Sequence, residues 1–164
     1  MGGLIIRSAL PRLQKYRKYF HAFITLSSPH LGFLYSTSTV VDVGLWFINT
    51  MKKCTSIEQL TMQDNEDLKS TFLYKLSKEP GLSWFKRLVF LGSHQDLYVP
   101  YYSARIQKHE ESALDFRKQV NKGMIYCKMV ENLLGDFTGE VIRINVNFCN
   151  PEQYIFIYSE ILTT

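Results

Sequence analysis

The 164-residue chain reads as an α/β protein with a mostly parallel sheet and flanking helices. The unbroken apolar run Leu88-Val89-Phe90-Leu91 is entered through Lys86 and Arg87 and left through Gly92. That is the pattern of a strand buried on both faces of a parallel sheet. A second near-continuous run, His21 to Leu26, ends in the polar turn Ser27-Ser28-Pro29-His30-Leu31-Gly32, a strand closed by turn formers. Patterns with helical spacing lie between and after these runs.

Composition bounds the reading. With 46% hydrophobic and 14% aromatic residues, the chain can bury one core and is too short for two comfortable domains. The formal charge of +4, from 19 basic and 15 acidic residues, is spread along the chain. A modestly basic surface is expected, and no aromatic-basic motif of a nucleic-acid-binding module is present. Cys54, Cys127 and Cys149 are odd in number and far apart, which fits neither a zinc site nor a disulfide framework. Reduced, buried thiols in a cytoplasmic protein fit best. The greasy segment Val40 to Ile48 is interrupted by Asp42 and falls well short of the roughly 20 apolar residues a membrane-spanning helix needs. No signal peptide is expected, and the protein reads as soluble.

Taken in order, Gly2-Gly3 leads into the apolar segment Leu4 to Leu10, which suits a buried helix whose regular part ends near Pro11. Lys15 to Tyr19 form a basic, aromatic connection expected to be solvated surface. After the His21–Leu26 strand, Val40, Val43, Phe47 and Met51 recur at spacings of three and four, widened by Leu45 and Trp46. This predicts a helix from Thr39 to about Lys53, either mostly buried or part of a lid over an apolar pocket. Ser56-Ile57-Glu58-Gln59 has capping-box spacing and starts a short helix. The acidic run Asp64 to Asp67 precedes another with Leu68, Phe72, Leu73 and Leu76 on its apolar side, stopped by Glu79-Pro80-Gly81. Ser103 to Leu134 should form two helices broken near Asn121-Lys122-Gly123, with Ile125, Met129, Leu133 and Leu134 buried. From Ile142 to Phe148 the residues alternate apolar and polar, as in a strand at a sheet edge. The tail Tyr154 to Tyr158 fits either a short strand or the start of a helix.

The loop after Leu88–Leu91 carries Asp96. Open α/β sheets place their chemistry at the carboxyl edge of the strands, so Asp96 is the first functional candidate. An aspartate that only shapes the turn before Val99-Pro100 is an equal reading of the same residues.

Three motifs add a family resemblance. Gly2-Gly3-Leu4-Ile5-Ile6-Arg7 is similar to the segment after the nucleophile in the lipase-like putative serine esterase domain of the α/β-hydrolase superfamily. There the pattern is Gly-His-Ser-x-Gly-Gly followed by an apolar helix, and Met1 takes the x position. The turn Ser28-Pro29-His30-Leu31-Gly32 resembles a second segment of that family. Thr71 to Ser77, together with Gly92 to Pro100, resembles in particular the C-terminal domain of the eukaryotic proteins called family with sequence similarity one hundred and thirty-five. The resemblance covers residues 1–148, leaving 149–164 as a divergent tail.

What the resemblance implies is the C-terminal half of an α/β-hydrolase fold, without its N-terminal strands, in a carboxylic-ester hydrolase using a Ser, Asp, His triad in that order. Asp96 matches the triad acid. The Ser would precede Met1, and the Met1 backbone N–H would serve the oxyanion hole. Gly2, Gly3, Ser28 and His30 would shape the pocket. The His is expected after Phe148, yet no histidine occurs beyond His109, and His109 itself is expected to be solvated. The expectation is therefore a fragment or degenerate copy, inactive alone, from a family acting on ester or lipid substrates without cofactor or metal. It would present an unpaired apolar strand edge to a missing N-terminal half or a protein partner. A non-catalytic interaction module on a hydrolase scaffold, using the Val40–Met51 face and the aromatic tail, is the alternative.

Overall fold

The computed structural model describes residues 1–35, 55–117, 121–148 and 155–162, with the backbone alone described for 116–117 and 155–162. The predicted Thr39–Lys53 helix, Cys54 and Cys149 lie outside the described residues.

Three parallel strands form the centre: β1 (Ala22–Leu26), β2 (Arg87–Gly92) and β3 (Glu140–Phe148), with β4 (Ile155–Leu162) antiparallel to β3. The sheet order is β1-β2-β3-β4. The chain is thus an α/β fold with a mostly parallel sheet. Two sequence expectations change here. β3 is an interior strand, because the undecided tail folds back as β4 and pairs with it from Val141–Leu162 to Phe148–Ile155. The alternation from Ile142 to Phe148 consequently marks half-burial between two neighbours, not an edge.

The second change concerns strand burial. In β2, Leu88 and Phe90 are fully buried whereas Val89 and Leu91 are only half-buried. In β1, Phe23 and Thr25 are buried while Ile24 and Leu26 are 57% and 71% exposed. Apolar runs promised cover on both faces; the described helices cover one face fully. That face packs Phe23, Leu88, Phe90 and Val141 with Leu4, Leu73, Leu76, Ile125, Tyr126 and Met129 in a single core.

The helices follow the sequence signals closely. Helix α1 (Gly2–Ala9) buries Gly3, Leu4 and Arg7. Pro11 ends its α-helical part, as expected, but the chain continues as a 3-10 helix from Leu10 to Tyr19. Helix α2 (Thr55–Leu60) starts beside the capping box. Helix α3 (Phe72–Lys78) is capped by Asp64, whose Oδ2 accepts from the Phe72 N–H at 2.7 Å. Between Ser103 and Leu134 the two expected helices become three elements: α4 (Tyr101–Ala104), α5 (Glu110–Arg117) and α6 (Asn121–Leu134). The expected break near Asn121 is present, with α5 described to Arg117 and α6 starting at Asn121. α6 packs on α3, where Asn132 Nδ2 donates to Ser77 Oγ at 3.0 Å. Cys127 on α6 is a free, buried thiol.

Candidate active site at the carboxyl edge

Because β1 and β2 run parallel, their exits lie side by side. The Ser27 N–H donates to the Leu91 carbonyl at 3.0 Å, carrying the pairing one residue beyond β1. Ser27 then takes φ 43, a left-handed conformation uncommon for a side-chain-bearing residue, and the chain turns under the start of α1. There the Gly3 N–H donates to Ser28 Oγ at 3.1 Å. A Cβ on Gly3 would stand 2.5 Å from Ser28 Oγ and 2.8 Å from His30 Cε1, so glycine is required by contact. The Met1 carbonyl accepts from Leu4 N–H at 3.0 Å and Ile5 N–H at 3.3 Å, which sets Met1 as the first link of the helix. Gly2 is exposed, with open space around its Cα.

His30 lies beneath this turn, fully buried among Phe23, Phe90 and Arg7. Its Nε2 is 2.9 Å from Thr25 Oγ1 and its Nδ1 is 3.5 Å from Arg7 Nη1. A guanidinium can only donate, so Nδ1 is the acceptor and the Nε2 proton goes to Thr25. Burial, then the Arg7 charge, hold the His30 imidazole well below the usual histidine range, and it is neutral. Arg7 is buried too, with Nη1 donating to the His30 carbonyl at 3.0 Å and Nη2 to that of Leu76 at 3.3 Å. Burial lowers its pKa to about 9. Arg7 was not visible as a site residue in the sequence, although a cation three residues from both Leu4 and Leu10, on one helix face, is the signal that could have marked it.

The acid loop leaves β2 through the buried Gly92 and Ser93. A Cβ on Gly92 would meet Arg105 Cγ at 3.2 Å and Ala104 Cβ at 3.4 Å, so α4 packs tightly against the strand exit. Asp96 Oδ1 accepts from the Tyr98 and Val99 N–H groups at 2.9 and 3.0 Å. The Ser93 carbonyl takes the Asp96 N–H at 3.3 Å, and Ser93 Oγ the Gln95 N–H at 3.1 Å. These bonds shape the turn that delivers Pro100 to cap α4. Asp96 Oδ2 has no partner among the described residues.

Asp96 lines a cleft of about 60 Å³ with Tyr35, His94, Tyr101, Tyr102 and His109. The His94 ring stacks on Tyr101 at 3.6 Å between centroids. His109, expected to be solvated, is half-buried: it stacks on Tyr35 at 5.6 Å, meets Tyr102 edge-on at 4.6 Å, and its Nδ1 accepts from the Glu111 N–H. Lys108, Glu110 and Glu111 suggested a charged helix, but His109 precedes α5, where its ring faces the aromatic cluster and not the helix surface. The Tyr35 hydroxyl donates to Asp115, and burial together with that carboxylate raises its pKa.

The structure therefore brings Asp96, His94 and His109 into one cleft. His30, Ser28 and Gly3 form a separate buried cluster under α1, next to the neighbouring strand exit. A last contact joins the acid loop to β3: Gln95 Nε2 donates to the Phe148 carbonyl at 2.9 Å while its Oε1 accepts the Phe148 N–H at 2.5 Å. The side-chain amide completes a rung of the ladder at the point where the chain leaves β3. Chemically, the edge offers a fixed carboxylate with one free oxygen, suited to accept an imidazole N–H.

Residues 1–112 match the profile of a family described as Putative serine esterase (DUF676). No solved structure matches the chain.

Proposed function

The chain belongs to the putative serine esterase family, and from that premise we propose that it forms the acid-bearing part of an ester hydrolase in which Asp96 is the triad acid. One observation carries this reading: the open Oδ2 of Asp96 sits on the loop after β2, beside the exit of β1 where the first turn of α1 packs on Ser28. In a serine esterase the acid orients the imidazole and stabilises it when protonated. Backbone N–H groups after the nucleophile stabilise the oxyanion, one such donor contributing about 3 kcal/mol. The first turn of α1, at Met1 to Gly3, takes that second position, with Ser28 Oγ accepting the Gly3 N–H from below.

These 164 residues hold no Gly-His-Ser-x-Gly-Gly motif and no histidine after Phe148. The cleft at Asp96 is far smaller than the ~300–1,000 Å³ of ordinary ligand pockets. Acyl binding and nucleophilic attack thus fall to groups beyond those described, and the chain assayed alone is inactive. The substrate class is a carboxylic ester, with lipid acyl esters favoured by the kinship to lipase-like domains, and neither cofactor nor metal is required. The likeness to the C-terminal domain of family with sequence similarity one hundred and thirty-five is part of this proposal, as is the extent of the domain to residue 148. The three scattered cysteines favour a reducing compartment.

The test is ester turnover by the isolated chain on short acyl esters. The expected result is no rate above the buffer background. Turnover that disappears in Asp96→Asn would place a working nucleophile and base within these residues and overturn the reading.

A further inference from the structure

The segment Leu10 to Tyr19 is a ten-residue 3-10 helix, whereas such helices seldom exceed three or four residues. With three residues per turn, side chains at i and i+3 eclipse, and the sequence repeats with that period. Arg12, Lys15 and Lys18 form one stripe. Leu13, Tyr16 and Tyr19 form the next, with Tyr16 45% and Tyr19 70% exposed. Arg17 adds a fourth exposed cation, and none of the four makes an ion pair among the described residues. The first acidic residue of the chain is Asp42. The stripes touch: Lys15 Nζ lies 4.9 Å from the Tyr16 ring centroid and Lys18 Nζ 4.9 Å from that of Tyr19.

We propose that this rod is a docking surface for an anionic lipid bilayer, on which it lies in the plane of the headgroups. A 3-10 helix of ten residues, about 20 Å long at 2.0 Å per residue, offers adjacent cationic and phenolic stripes to a flat surface. Cations are drawn to acidic headgroups and tyrosines are favoured at the membrane–water boundary. Nucleic acid suits it less, because base stacking needs open ring faces and each tyrosine already carries its neighbouring lysine. Among the described residues no helix is long and apolar enough to cross a membrane. α1 starts beside Ser28 at the carboxyl edge, and the rod ends where β1 begins, so docking is remote from Asp96. The proposal rests on this segment and not on the ester-hydrolase reading.

The experiment is co-sedimentation of the full chain with vesicles of phosphatidylserine and phosphatidylcholine in equal parts, against phosphatidylcholine alone. Binding is expected only to the anionic vesicles and to weaken as salt rises. Lys15→Gln with Lys18→Gln should lower affinity about 25-fold, taking about fivefold per cation. Tyr16→Ser with Tyr19→Ser should weaken it further at high salt, where the apolar contribution remains. These exposed positions leave the thermal melt unchanged, which separates binding from folding. No binding, equal binding to both vesicles, an unaffected lysine double variant, or tighter binding to a single-stranded oligonucleotide at the same salt would each overturn the proposal.

Discussion

Asp96 combines two roles that the sequence set as rivals. One carboxylate oxygen holds the turn through Tyr98 and Val99, and the other has no partner among the described residues. Turn-shaping is what would fix a triad acid in place, so the structural duty supports the proposed chemical one. His30 is different in kind. Its imidazole is held neutral by burial and by Arg7, well below the range it has in the unfolded chain. The unfolded state therefore binds the extra proton. The stability tied to neutral His30 is fully present above about pH 6.5 and is lost as pH falls below it. A melting curve followed from pH 7 to pH 5 should drop, by up to about 1.4 kcal/mol per pH unit. His30→Gln, less stable at pH 7, should show a flatter profile; an equally steep one would assign the loss to other groups.

At the scale of elements, the Gln95 amide acts as a substitute strand rung for the end of β3. It fixes the departure of the chain from the sheet next to the acid loop. Gln95→Ala should cost about 1 kcal/mol, typical of hydrogen bonds lost at an exposed site, with a local loss of hydrogen-exchange protection at Phe148. Unchanged protection there, with the rest of β3, would show that β4 pairing alone holds the strand end. Nothing in the sequence pointed to this contact, because it joins residues 53 apart through a side chain mimicking backbone. The strands and α1 were legible for the opposite reason: their signals are periodic and local, as in Leu88 to Leu91 or in Leu4, Arg7 and Leu10. The tail was ambiguous since a short aromatic run fits strand or helix equally, and only pairing with β3 made it β4.

For the whole molecule, the decisive feature is the outer edge of β1. It pairs with β2 on one side and with no other described strand, while Ile24 and Leu26 stand exposed on one face. Unpaired edges with apolar neighbours template association. The isolated chain should self-associate at micromolar concentration, as read by light scattering, and Ile24→Lys with Leu26→Lys should shift it toward monomer. A monodisperse, cooperatively unfolding wild-type monomer would show that the edge is protected.

The sequence by itself determined the α/β class, the parallel core strands, the ends of α1 near Pro11 and of α3 at Glu79, and the loop position of Asp96, since each is written in nearby residues. Only the tertiary structure decided which strand faces are covered and that β3 is interior. It alone decided that His109 joins Asp96 in one cleft while His30 lies in another cluster. Such facts depend on which distant segments meet, and periodicity along the chain carries no record of that.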